Sequence, residues 1–183
     1  MIIDQQNDTS MRKIILQLAV SLDGFIEGPN GEFDWCFIDQ DYGMSAFFKR
    51  IDAVFMGRKS YELALAMESE APSGFPKIKE YVFSNTLTDV KKGVVIVKGD
   101  VKKEVVKIKK RKGKDIWLFG GAELISSLMN LQLVDELILA VHPVVLGSGK
   151  PLFKDIAERT WLTLTDSKIY DNGLVFLTYT VKK

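Results

Sequence analysis

The chain has one cysteine, one histidine, no long apolar run and almost no net charge in 183 residues, and each shortage removes a class of protein. With Cys36 alone no internal disulfide can form, which fits a reducing cytosol. His142, as the only histidine, cannot build a metal site without partners, and its place at the end of an apolar run before Pro143 reads as structural. Lys plus Arg number 25 and Asp plus Glu 24, so the overall field draws in neither nucleic acid nor an acidic membrane, and any anion site must be local. No apolar run approaches the roughly 20 residues that span a bilayer, and the start lacks the basic-then-apolar order of a signal peptide. A soluble, cytoplasmic protein is the expectation.

What is present is 46% hydrophobic residues in a length that suits one compact α/β domain. Residues 1–10 are polar and read as a leader, with the domain over residues 11–183. Ile14 to Val20 reads as a strand running into Ser21-Leu22-Asp23-Gly24, and Phe25 to Asp39, broken by Gly28-Pro29-Asn30-Gly31, as a mobile loop. Helical spacing of Met44, Phe47, Phe48 and Ile51 predicts a short helix over Tyr42 to Ile51. Strands follow at Ala53 to Met56, Glu80 to Phe83, Val94 to Val97, Asp115 to Phe119 and Glu136 to Val141, with helices near Lys59 to Met67, around Val101 to Ile108 and at Ala122 to Met129. Such alternation means a mainly parallel sheet. Trp161 to Tyr170 and Leu174 to Val181, joined by Asp171-Asn172-Gly173, read as a closing antiparallel hairpin.

Two apolar runs end at glycine just before a helix: Met56-Gly57-Arg58-Lys59-Ser60 and Phe119-Gly120-Gly121-Ala122. A strand that enters a helix through glycine lets backbone approach a ligand and aims the free N–H groups of the first turn at it, which suits phosphate. Two such corners, one carrying Arg58, Lys59 and Ser60, suit the several phosphates of a nicotinamide dinucleotide. Gly147-Ser148-Gly149-Lys150 lacks phosphate-loop spacing and reads as a turn. The lysine-rich run from Lys102 to Lys114 keeps Val105 and Ile108 on one helical face and carries no aromatic, so it reads as a solvated helix face, not a nucleic-acid site.

These pieces, with Ala19-Val20-Ser21-Leu22-Asp23-Gly24, Val82-Phe83-Ser84-Asn85, Leu133-Val134-Asp135-Glu136-Leu137 and His142-Pro143-Val144-Val145-Leu146-Gly147, resemble the dihydrofolate reductase fold. The closer resemblance is to the RibD C-terminal domain family, the riboflavin-biosynthesis reductase domain, from about Arg12 to Val181. It implies an α/β, dihydrofolate reductase-like, mixed and mainly parallel sheet with flanking helices and a C-terminal antiparallel hairpin. NADPH is the implied cofactor and a homodimer the implied assembly. By resemblance Ala19 meets the nicotinamide amide through its backbone and the loop after Gly24 closes over the ring. Gly57, Arg58, Lys59 and Ser60 hold one group of phosphates, Ser84 and Asn85 lie at the adenosine end, and Gly120, Gly121 and Ala122 pack on the pyrophosphate.

The resemblance implies a reductase of a small heterocycle, most like 5-amino-6-(5-phosphoribosylamino)uracil reductase. Dihydrofolate or pterin reduction, or a non-catalytic nucleotide-binding module, are the alternatives. The position that carries an acid on the first helix of folate reductases falls on Met44, with Asp41 about one turn earlier. Asp23, Asp34 and Asp41 are the catalytic candidates, and for each turn formation or capping competes with a direct role. Trp35 either walls the pocket or anchors the core.

Overall fold

The computed structural model describes residues 11–67 and 78–183; the leader expected at residues 1–10 lies outside them. In chain order the elements are β1 (Ile14–Ser21), β2 (Phe25–Glu27), α1 (Met44–Arg50), β3 (Ile51–Gly57), α2 (Arg58–Met67), β4 (Lys79–Phe83) and β5 (Val95–Val97). They continue with α3 (Val101–Lys109), β6 (Asp115–Gly120), α4 (Ala122–Asn130), β7 (Glu136–His142), β8 (Lys150–Pro151), β9 (Leu162–Ile169) and β10 (Val175–Val181). Eight strands form one sheet in the order β5-β4-β3-β6-β1-β7-β10-β9, while β2 and β8 pair separately. The strands from β5 to β7 run parallel, and β10 and β9 close the sheet antiparallel.

Right-handed crossovers decide which helix covers which face. Connections that move toward β5 carry α1 and α2 on one face, where Phe47 and Tyr61 meet Ile15, Val54 and Trp117. Connections that move toward β7 carry α3 and α4 on the other, where Val105, Ile108, Ile125 and Leu128 meet Leu16, Phe55 and Leu118. Phe55 and Leu118 are fully buried, and side chains of this size contribute about 1.5–3 kcal/mol each by leaving water. The lysine-rich helix behaves as its periodicity implies: Val105 and Ile108 are buried, and the Asp100 side chain caps its start by accepting from Lys103 N–H at 3.0 Å. A cap of this kind is worth about 1 kcal/mol.

One expectation needs correction. The stretch after Gly24 does not begin as a free loop, because Phe25–Glu27 pairs with Lys150–Pro151, so the supposed Gly147–Lys150 turn also ends in a strand. An ion pair between Glu27 and Lys150 and a bond from Leu152 N–H to the Gly24 carbonyl at 2.9 Å hold this small ribbon together. Gly149 has φ +147°, and a β-carbon there would run into the Glu27 carbonyl, so glycine is required for the close approach. The first helix is also shorter than its apolar spacing implies, starting at Met44 after Gly43 in the left-handed region. No helix among the described residues is long and apolar enough to cross a membrane.

Candidate functional site

β3 and β6 are neighbours, and the chain leaves their C-terminal ends in opposite directions, α2 passing over one face and α4 over the other. A crevice opens where such connections diverge, and in open α/β sheets ligands bind there. The two glycine corners occupy it together. A β-carbon on Gly57 would lie 3.9 Å from both the Gly120 carbonyl and the Gly121 nitrogen. The Ser60 hydroxyl accepts from Gly121 N–H at 2.8 Å, joining the start of α2 to the turn before α4 across 61 residues of sequence. Gly120 has φ +145°, which a side chain would strain, and Gly121 caps α4 without any side-chain bond.

The first turn of α2 therefore opens on the crevice, with its N–H groups unused by helix bonds and the positive end of the helix dipole behind them. Arg58 pairs with Glu62 at 2.8 Å, both about half exposed, 44% and 48%. An exposed pair at this spacing contributes only about 0.3–0.5 kcal/mol, so an incoming anion can take the guanidinium from Glu62. Lys59 is exposed and makes no hydrogen bond or ion pair among the described residues. Ala122 begins α4 at the floor of the same corner.

Ser84 and Asn85 follow β4, one strand beyond β3 on the same edge. Ser84 Oγ accepts from Leu87 N–H at 3.0 Å, and Asn85 Oδ1 accepts from Gly99 N–H at 3.0 Å, so both side chains shape the turns that border the crevice. On the other flank, Ala19 sits near the end of β1, which lies beside β6. From β4 to β1 the candidate residues cross three inter-strand gaps, a span of about 14 Å at about 4.8 Å per gap. That is the scale of an extended dinucleotide.

The acidic candidates part company. Asp23 accepts from Ser21 Oγ at 2.7 Å, Gly147 N–H at 2.7 Å and Leu146 N–H at 3.1 Å. The Ser21 hydroxyl, against some loss of hydration and with help from those amides, holds its carboxyl below the usual range. It thereby ties the β1 exit to the loop before β8. Asp41 accepts from Ser45 Oγ at 2.7 Å, Ser45 N–H at 2.9 Å and Gly43 N–H at 3.1 Å, which caps α1 and likewise lowers its carboxyl, the Ser45 hydroxyl first. Asp34 is exposed and makes no hydrogen bond or ion pair among the described residues. Together with burial, its charge pushes the nearby Cys36 thiol up to about 11, so Cys36 stays protonated and unreactive at neutral pH.

His142 is buried and structural in its contacts. Nδ1 faces the Ala140 carbonyl at 3.0 Å while Nε2 accepts from Phe37 N–H at 3.1 Å, an arrangement that a neutral ring satisfies at both nitrogens. Burial lowers its pKa below the usual histidine value. Trp35 and Phe37 stand edge-on to the imidazole at 5.3 and 5.1 Å, so the loop before α1 is pinned over the end of β7. Trp35 Nε1 is buried with no partner among the described residues.

Sequence reasoning missed Gln17. Its backbone carbonyl accepts from Trp117 Nε1 at 2.9 Å, and its side-chain Nε2 donates to Met44 Sδ at 3.3 Å, inside the face covered by α1. The available signal was a single polar residue within the apolar run Ile14-Ile15-Leu16-Gln17-Leu18-Ala19-Val20.

Comparison with known proteins places the fold in a family. The family model described as the RibD C-terminal domain matches residues 12–176. The uncharacterized protein YyaP of Bacillus subtilis (strain 168) is 44% identical over 182 residues, covering 94% of this chain and 97% of YyaP. The crystal structure of a putative riboflavin biosynthesis protein from Shewanella sp. PV-4 superposes with a TM-score of 0.82 at 27% identity, covering 93% of this chain and 99% of that one. Dihydrofolate reductase from Enterococcus faecalis, complexed with NADP(H), superposes with a TM-score of 0.66 at 17% identity, covering 93% and 97%, and shares the fold.

Proposed function

Because this chain belongs to the RibD C-terminal domain family, we propose that it is an NADPH-dependent reductase of a small heterocycle, most like 5-amino-6-(5-phosphoribosylamino)uracil reductase. One observation supports the reading: the Ser60–Gly121 hydrogen bond joins both glycine corners at one crevice. The fit is one of donors. Unused N–H groups of α2, an exposed Lys59 and a weakly held Arg58 offer several contacts to phosphates, while Gly57 leaves open the space a side chain would fill. When bound, the coenzyme supplies hydride to a carbon of a C=N bond.

The chain's own contribution is placement and exclusion of water. Arg58, Lys59 and Ser60 hold phosphate, the turns at Ser84 and Asn85 border the adenosine end, and the Ala19 backbone orients the nicotinamide. Asp23 and Asp41 are ionised at neutral pH and occupied by their own loops, so they shape the rim, and the proton reaches the product from water. The Asp34 side chain has no hydrogen-bond partner among the described residues and is the carboxylate assigned to orient substrate. A homodimer belongs to this reading, and edge strand β9 leaves Leu164 and Ile169 exposed, at 53% and 77%.

Loss of absorbance at the nicotinamide band, with the uracil intermediate and dihydrofolate offered in turn, tests the reading. Faster consumption with the uracil intermediate is expected, and faster turnover of dihydrofolate would contradict it. A melt stabilised by NADPH without consumption under either substrate would mark a binding module in place of an enzyme.

A further inference from the structure

The geometry points to a second ligand site, for a planar ring that carries a phosphate, at the end of the sheet away from the glycine corners. A cavity of about 260 Å³ opens there, where α4 ends beside the open end of the β9–β10 hairpin. Met129 and Val134, 7% and 1% exposed, and the half-buried Val181 give it an apolar lining. Its walls are tied to one another. Lys182 N–H donates to the Trp161 carbonyl at 2.9 Å across the hairpin. Asn130, the last residue of α4, donates to the Asp155 carbonyl and accepts from Ala157 N–H, each at 2.9 Å, which fastens the segment before β9. The cavity is therefore preformed.

The remaining lining defines the ligand. Trp161 is 63% exposed, so an indole stands in water beside an apolar recess, where a second flat ring can cover it. The Arg159 guanidinium lies over that indole, 5.8 Å from its centroid, and makes no hydrogen bond or ion pair among the described residues. The Lys182 ammonium is equally unspent among the described residues, whereas Lys183 is held by Asp135. No carboxylate lines the cavity, and Glu158, next to Arg159 in sequence, neither lines it nor forms an ion pair among the described residues. A planar guanidinium beside a flexible ammonium suits a doubly charged phosphate, and the indole suits the ring that carries it. The volume lies below the roughly 300–1,000 Å³ of pockets that take drug-sized ligands, which leaves room for a mononucleotide and too little for a dinucleotide.

The site does not depend on the reductase reading, and calorimetry with adenosine 5′-monophosphate (AMP) tests it, with NADP+ at saturation to keep the probe out of the glycine corners. Native protein should bind a single AMP per chain, at least about tenfold more tightly than adenosine or ribose 5-phosphate, because each of these lacks one of the two recognised groups. Arg159→Gln should weaken AMP and ribose 5-phosphate by about tenfold and leave adenosine unchanged. Trp161→Leu should weaken AMP and adenosine by about tenfold and leave ribose 5-phosphate unchanged. Both side chains are exposed, so both variants should melt with the native protein. Native protein that binds no AMP, AMP that NADP+ displaces, or variants that bind AMP as the native protein does would each overturn the site. None of these outcomes removes the coenzyme corners, and failure to bind NADP+ would leave the Arg159 and Trp161 comparisons in force.

Discussion

The two ends of the parallel strands are built on opposite terms. At the N-terminal end charge is paired and saturated: Arg12 with Asp52, Arg50 with Asp115 and Glu136, and Lys109 and Lys183 with Asp135. Asp135 also accepts from Ile14 N–H at 2.8 Å, and Asp52 from Lys114 N–H at 2.9 Å, so these acids fasten strand starts to one another. At the C-terminal end the first turn of α2 starts directly after Gly57, Arg58 is held by an exposed pair with Glu62 and the Lys59 side chain is unpaired among the described residues. One end ties its charged groups to the fold, and the proposed coenzyme site lies at the other. Damage to each end should therefore show up in a different measurement.

The largest effect is expected at the closed end. Asp135→Ala leaves Lys109, which is 5% exposed, without its partner, and breaking a buried pair this way costs about 3–5 kcal/mol. Urea unfolding should report that loss, with NADPH affinity retained in the folded fraction; a change below about 1 kcal/mol would remove the contrast. Because Lys109, Lys183 and the Ile14 amide lower the Asp135 carboxyl in spite of its burial, this stabilisation is present above the ordinary carboxylate range near about 3.9. It fades as pH falls from there through the depressed native value.

At the open end, Gly120→Val forces a branched side chain into φ +145° and disturbs both corners. NADPH affinity should fall by about a hundredfold, the loss of two charge-assisted bonds at about 1.5 kcal/mol each. Calorimetry showing near-native affinity in a folded variant would mean that the corners do not hold the coenzyme.

Arg58→Ala should raise the KM for NADPH by about tenfold with little change in kcat, as expected for binding shared by ground and transition states. An unchanged KM would free Arg58 from the phosphate.

The smallest effect is expected at His142, the last residue of β7 and outside both corners. Its pKa is lowered in the fold, so the neutral ring's contribution is complete above about 6.5 and declines as pH drops from there toward the native value. A charged ring cannot accept from Phe37 N–H, so Trp35 fluorescence should change as pH falls from about 6.5 through the lowered native value in native protein and stay flat in His142→Asn. Equal responses in the two would show that the imidazole does not hold the loop.

The corners were legible because their chemistry is local: Gly120 takes φ +145°, which side chains rarely adopt, and Arg58, Lys59 and Ser60 follow Gly57 directly. The hairpin was legible for the same reason, with Asn172-Gly173 between two apolar runs and Gly173 at φ +86°. The pairing of β2 with β8 was not, since it joins segments of three and two residues more than a hundred positions apart. The Ser60–Gly121 bond was hidden in the same way. Asp23 and Asp41 looked like catalytic acids as readily as turn formers, and only their partners, Ser21 with the Leu146 and Gly147 amides, and Ser45 with the Gly43 amide, show how they are used in this structure. Gln17 escaped because one polar residue hardly disturbs an apolar strand pattern.

The most direct test is an amide-resolved NMR titration of the native protein with NADPH. Resonances of Arg58, Lys59, Ser60, Gly120, Gly121 and Ala122 should move together along one saturable curve, while those around Asp52 and Asp135 at the other end stay still. Movement of only one corner, or of neither, would contradict a shared crevice for the coenzyme.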